Sequence, residues 1–256
     1  MAISEDAKRR WRERRIGSVD VGSPRGIAAL ILIALSLVAV LATPFLLLVQ
    51  WVAGDAPQPN RDFTRADLVV NLAFNVIVLI LLPLLAIAIT HPGEPGAVVR
   101  RLRLQVRPIT AIHAVVGAVV TIAALFGLGA VLNFLDDAGL YSADESALVP
   151  QIQALLNWPL VISISVLAAM TEEIFFRGVL QPRFGILASS VFFAVIHAGY
   201  GTVLQVVAPL LLGLLFGYLF QRTRSLWTPI VAHFAFDFVE LSILLLQKQG
   251  HLPSGA

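Results

Sequence analysis

Seven side chains in the second half of this 256-residue chain have types and spacings suited to activating a water molecule. Glu172, Glu173 and Arg177 follow an uncharged run, WPLVISISVLAAM, within the stretch MTEEIFFRG. His197 ends a second apolar run, and His233, Asp237 and Glu240 lie in a third. A charged group at the centre of a bilayer costs at least about 2.5 kcal/mol, so such groups normally face a bundle interior or a water-filled cavity. On an α-helix residues four apart share a face, whereas successive residues point about 100° apart. Glu173 and Arg177 are therefore spaced as an ion pair, and Glu172 is left without a partner in its own helix. A carboxylate in that position is suited to act as a general base. His233 and Asp237 are likewise four apart, and Glu240 continues their face. Two routes to an activated water are open. Glu172 can take the proton while the histidines polarise a carbonyl, or His197, His233, Glu172 and Asp237 can hold a divalent metal such as zinc. An ion-pair network that only fixes helix packing is the alternative to both.

Membrane-crossing helices must position these groups. The chain is 58% hydrophobic and 13% charged, with a mean hydropathy of +0.85, which is wrong for an ordinary water-soluble domain. It predicts an all-α, polytopic transmembrane helix bundle. Seven apolar segments approach the roughly 20 residues of a span: 27–53, 68–90, 108–134, 156–181, 184–198, 204–222 and 226–247. The first is too long for the apolar region of a signal peptide and is read as a retained span. With the N-terminus cytoplasmic, 15 of the 18 basic residues fall in inner segments, at 8–25, 100–107, 177–183 and 222–224. Only Arg61, Arg65 and Lys248 fall outside, and the 135–155 loop carries Asp136, Asp137, Asp144 and Glu145 with no basic residue.

The predicted organisation is a basic segment at 1–25, disordered or lying on the membrane surface, N-terminal helices over 26–150, a catalytic core over 151–247 and a tail at 248–256. No cysteine is present, which excludes disulfides, thiolate metal sites and a cysteine nucleophile. The pI of 9.4 reflects basic residues flanking apolar runs, so no nucleic-acid partner is expected. No HExxH, GxSxG or Walker A pattern occurs. Asn71 and Asn75, four apart, and His113 are read as packing or interhelical hydrogen-bonding groups.

Depth tests whether the polar groups can meet. If Arg177 marked the membrane surface, Glu172 would lie only about 8 Å deep. If Arg177 is buried instead, the helix can run on to Gln181, where Pro182 stops it. Glu172 then sits about 16 Å above Arg183 and His233 about 13 Å above Arg224, in a shared layer.

The ordered motifs EEIFFR (Glu172, Glu173, Arg177), FAVIH (Phe193, His197) and HFAFD (His233, Asp237) resemble the CPBP family of intramembrane proteases, also called the Abi family. That family includes type II CAAX prenyl endopeptidases and relatives linked to bacteriocin processing and immunity. The run SLWTPIVAH is also similar, and the resemblance covers about 156–240. It implies an intramembrane endopeptidase, metal-dependent or using glutamate and histidine directly. Glu172 would be the water-activating glutamate and His197 its partner. His233 and Asp237 would complete the site, and Glu173, Arg177 and Phe193 would support it. Asp237 stands where Asn is commoner, which suits a metal ligand or an imidazole-orienting group better than an oxyanion donor. The implied partners are the lipid bilayer and a membrane-protein or lipidated-peptide substrate, with the cell membrane as location. A proton-coupled transporter is the alternative that Glu240 favours, and a non-catalytic scaffold or immunity protein is the other.

Overall fold

The computed structural model describes residues 15–16, 19–20, 23–53, 63–94, 96–106, 108–140, 146, 148–200 and 202–253. Most of the basic N-terminal segment lies outside these residues, as do Arg61, Arg107, Asp144 and Glu145. Within that segment Arg15–Ile16 (β1) pairs antiparallel with Val19–Asp20 (β2), a short backbone bridge where no regular element was expected.

The remainder is helical. α1 spans Pro24–Val52, and its first turn is capped by Ser23 Oγ, which accepts from Gly26 N at 3.0 Å. α2 (Arg65–Asn75) continues through a π-helical stretch, π1 (Val76–Leu81), into α3 (Leu82–Thr90). A capping box starts α2: Thr64 N donates to Asp67 Oδ2 at 2.9 Å and Asp67 N to Thr64 Oγ1 at 3.3 Å. Asn71 and Asn75 bond to each other at 3.2 Å within α2 rather than across helices. Short α4 (Ala97–Arg101) leads to α5 (Pro108–Asp137), and short α6 (Val149–Leu155) precedes α7 (Trp158–Glu172). Asn157 caps α7 by accepting from Leu160 N at 3.0 Å, with Pro159 in the first turn where its missing N–H costs nothing. A second π-helical stretch, π2 (Glu173–Leu180), follows and runs into α8 (Gln181–Ile196) and a 3₁₀ turn, Ala198–Tyr200. α9 (Leu204–Thr223) and α10 (Trp227–Lys248) complete the bundle.

Among the described residues six helical stretches are long and apolar enough to cross a membrane, where seven were expected. The difference lies in the fourth, Trp158–Tyr200, which takes in the 184–198 segment and all but the first two residues of the 156–181 segment. Its chain is not one rod. Gly185 sits at φ 82°, ψ 173°, a region open essentially only to glycine, and there the helix turns back. Ser189 Oγ donates to the Phe176 carbonyl at 2.8 Å, and the Phe176 and Phe193 rings lie 5.3 Å apart, contacts that require antiparallel arms. The break is therefore at Gly185 rather than at Pro182, which is accommodated in the first turn of α8.

α10 packs on α5 and α7, α8 on α9, and α1 on α3 and α8. Close approach of α8 and α9 depends on Gly213 and Gly217, spaced as a GxxxG pair. A Cβ on Gly213 would come 3.1 Å from the Ser190 Cα, and one on Gly217 2.9 Å from Ile186 Cγ2. The main core gathers Phe175, Phe176, Val179 and Leu180 of π2 with Phe193, Phe220 and Ile230.

Candidate active site

Three arms build the site: the end of α7 with π2, the returning α8, and the middle of α10. The π-helical winding of π2 changes what α-helical spacing implied. Glu173 Oε1 still reaches Arg177 Nη1 at 3.0 Å, four residues on, but it also accepts from His233 Nδ1 at 2.9 Å. On the far edge of the same imidazole, Nε2 lies 3.9 Å from Glu172 Oε2 and 3.4 Å from Asp237 Oδ2. The two successive glutamates thus address opposite nitrogens of one histidine, and Glu173 is shared rather than consumed by Arg177. With Glu173 as acceptor, the proton on Nδ1 is fixed and Nε2 is directed at Glu172 and Asp237.

Burial divides these groups. Glu173 and Arg177 are sealed, with side chains 0% and 1% exposed, whereas Glu172 and Asp237 retain 12% and 16%. Glu172 Oε2 is buried yet has no hydrogen-bond partner among the described residues. An unpaired carboxylate oxygen in a dry setting costs free energy unless water or a ligand completes it. Glu240 lies on the exposed face of α10, one turn beyond Asp237.

Aromatic rings and glycines hold the charges in place. The Arg177 guanidinium lies 4.3 Å from the Phe193 ring centre and 5.4 Å from that of Phe216, and its Nη2 donates to the Gly213 carbonyl at 3.3 Å. Gln181, one helical turn on, donates to the Gly217 carbonyl at 2.9 Å. The missing side chains of the glycine pair let both donors reach the α9 backbone. Phe216 stacks on His233 at 5.1 Å and 22°. Sequence reasoning passed over Phe216, Gln181 and the two glycines, and the GxxxG spacing of 213 and 217 was the signal for them.

His197 joins the cluster less directly. Its ring packs on Phe193 at 4.9 Å, and Phe193 in turn meets His233 at 5.8 Å. His197 Nδ1–H donates to the Phe193 carbonyl at 2.8 Å, which leaves the Nε2 lone pair as an acceptor. Tyr200 stacks on its other side at 6.3 Å and 17°.

The possible metal set, His197, His233, Glu172 and Asp237, is not assembled as one. Among the described residues no three His, Asp or Glu side chains form a group able to hold a metal ion. The Nδ1 contacts of His233 with Glu173 and of His197 with a carbonyl leave both Nε2 atoms available, but among the described residues they are not joined into a group of three donors that could hold zinc.

Residues 154–239 match the family described as type II CAAX prenyl endopeptidase Rce1-like. Two proteins of Bacillus subtilis (strain 168) are similar to this chain. "Uncharacterized protein YpbD" is 32% identical over 97 residues, covering 38% of this chain and 51% of that protein. "Putative membrane peptidase YdiL" is 33% identical over 114 residues, covering 41% of this chain and 44% of that protein. The chain spans about half the length of the curated relatives it matches. No solved structure matches it. The matched region, residues 154–239, is the one that carries the Glu172, His197 and His233 motifs.

Proposed function

We propose that this protein is an intramembrane endopeptidase of the cell membrane, with its N-terminus cytoplasmic, that hydrolyses a peptide bond of a membrane-associated or lipidated protein. The observation that carries this reading is the buried, unpartnered Glu172 Oε2 facing an imidazole whose other nitrogen is held by Glu173. A water between Glu172 and the substrate carbonyl gives its proton to the Glu172 carboxylate as its oxygen bonds to the carbonyl carbon. His197, with its Nε2 lone pair free, accepts from the same water and orients it. The oxyanion receives a hydrogen bond from His233 Nε2 in its doubly protonated form, with Asp237 and Glu173 balancing that charge. Protonated Glu172 then passes its proton to the leaving nitrogen, the C–N bond breaks, and the carboxylate is restored. No step is assigned to a metal, because no group able to hold one is assembled among the described residues.

The test is purified protein in detergent or liposomes with candidate tail peptides, comparing the wild type with Glu172→Ala and His233→Ala. Loss of cleavage in both variants is expected, and unchanged cleavage in both removes the assignment. The line of polar groups from His233 through Asp237 to Glu240 along α10 also suits a proton relay. Solute flux that Glu172→Ala abolishes, with no peptide ever cut, would establish transport instead.

A further inference from the structure

At one end of the bundle, away from the site above, four arginines converge from three different connections. Arg101 ends α4 and Arg103 follows it across Leu102, Arg183 lies in the first turn of α8 just before the fold-back at Gly185, and Arg224 lies between α9 and α10. The turn is docked rather than loose. Leu102 is fully buried and fills the notch left by Gly178, where an added Cβ would meet it at 2.7 Å. Leu226 N donates to the Arg103 carbonyl at 3.2 Å, and Trp227 Nε1 to the Leu104 carbonyl at 2.8 Å. This docking holds like charges together: Arg101 and Arg183 lie within each other's field, and so do Arg103 and Arg224.

No carboxylate neutralises this cluster among the described residues. Arg101 Nη2 meets His91 Nε2 at 2.6 Å, and Nδ1 of that ring lies 3.0 Å from the Ile87 carbonyl, so its partner is an imidazole rather than a carboxylate. Arg183 donates to the Val179 carbonyl, and its Nε is buried with no hydrogen-bond partner among the described residues. Arg103 rests over the Phe220 ring at 5.2 Å. Partial burial, and then the charge of Arg224, pull the Arg103 guanidinium below its usual pKa range. Converging guanidinium groups with an unspent buried N–H are the arrangement that recognises phosphate. The apolar surroundings say where the phosphate comes from. Val106, Ile109 and Phe184, beside the cluster in sequence, are 73%, 52% and 49% exposed, a surface for acyl chains rather than for a free ion.

We infer that the Arg101, Arg103, Arg183 and Arg224 cluster is a binding site for the headgroup phosphate of an anionic phospholipid. The inference is independent of the proposed peptidase activity, since none of the four arginines belongs to that site. The test uses the full chain in detergent, with thermal unfolding followed as phosphatidylglycerol, phosphatidylcholine or inorganic phosphate is added, and native mass spectrometry to count retained lipid. Phosphatidylglycerol should raise the unfolding temperature and remain bound, phosphatidylcholine and inorganic phosphate should do neither, and high salt should erase the effect. Arg101→Gln/Arg183→Gln should weaken phosphatidylglycerol binding by about tenfold or more, whereas Arg222→Gln, at the exposed end of α9, should leave it within about twofold. If the double variant does not fold, exposed Arg101→Gln alone carries the comparison. Equal loss in the Arg222 control, no loss in the cluster variants, or an equal response to inorganic phosphate would each overturn the inference.

Discussion

Glu173 and His233, 60 positions apart in the sequence, meet at 2.9 Å through Oε1 and Nδ1. That contact fixes which imidazole nitrogen is turned toward Glu172, and it makes Glu173 the common partner of a histidine and an arginine.

Glu172→Gln keeps the shape of the side chain and removes the base. Cleavage should fall by about 100-fold or more, the scale of general-base catalysis, with the unfolding temperature in detergent almost unchanged. Comparable activity in the variant would show that another group takes the proton.

Arg177→Leu should destabilise the fold by about 3–5 kcal/mol, because Glu173 is left charged, buried and short of its counter-ion. Glu173→Leu/Arg177→Leu should recover much of that stability in chemical or thermal unfolding. It should nevertheless stay inactive, because His233 Nδ1 has lost its acceptor. An active double variant would reduce Glu173 to a packing group.

Gly213→Ala brings a methyl group to within 3.0–3.2 Å of Ser190 at the crossing of α8 and α9. A loss of about 1–3 kcal/mol is expected from the forced separation. Peptidase activity should drop with it, since Arg177 reaches the Gly213 carbonyl across that crossing. Unfolding curves that overlay those of the wild type would show that the crossing tolerates a wider gap.

Treatment with a strong chelator should leave cleavage within about twofold of the untreated enzyme, since no group of three His, Asp or Glu side chains able to hold an ion is assembled among the described residues. Loss of activity that zinc restores would show that the site rearranges around an ion.

The membrane architecture is legible in the sequence because hydropathy is a local property. About 20 apolar residues read as a span whatever they pack against, and α1, α5, α9 and α10 lie close to where their apolar runs place them. The residues of the cluster are legible for a similar reason: Glu172, Glu173, Arg177, His233 and Asp237 are costly inside a membrane and therefore conspicuous. Less visible was the winding between them. Helical spacing assumed 3.6 residues per turn through EEIFFR, and the chain is π-helical from Glu173 to Leu180.

The sequence by itself thus determined a helical membrane bundle and the identity of its intramembrane polar groups, since both follow from residue type and local period. Only the tertiary structure decided that the fourth apolar stretch folds back at Gly185, that Glu173 serves His233 as well as Arg177, and that His197 joins the cluster through Phe193. Those outcomes depend on how closely helices approach. That distance is set by Gly213, Gly217 and Gly178 against side chains distant in the sequence, which no local pattern encodes.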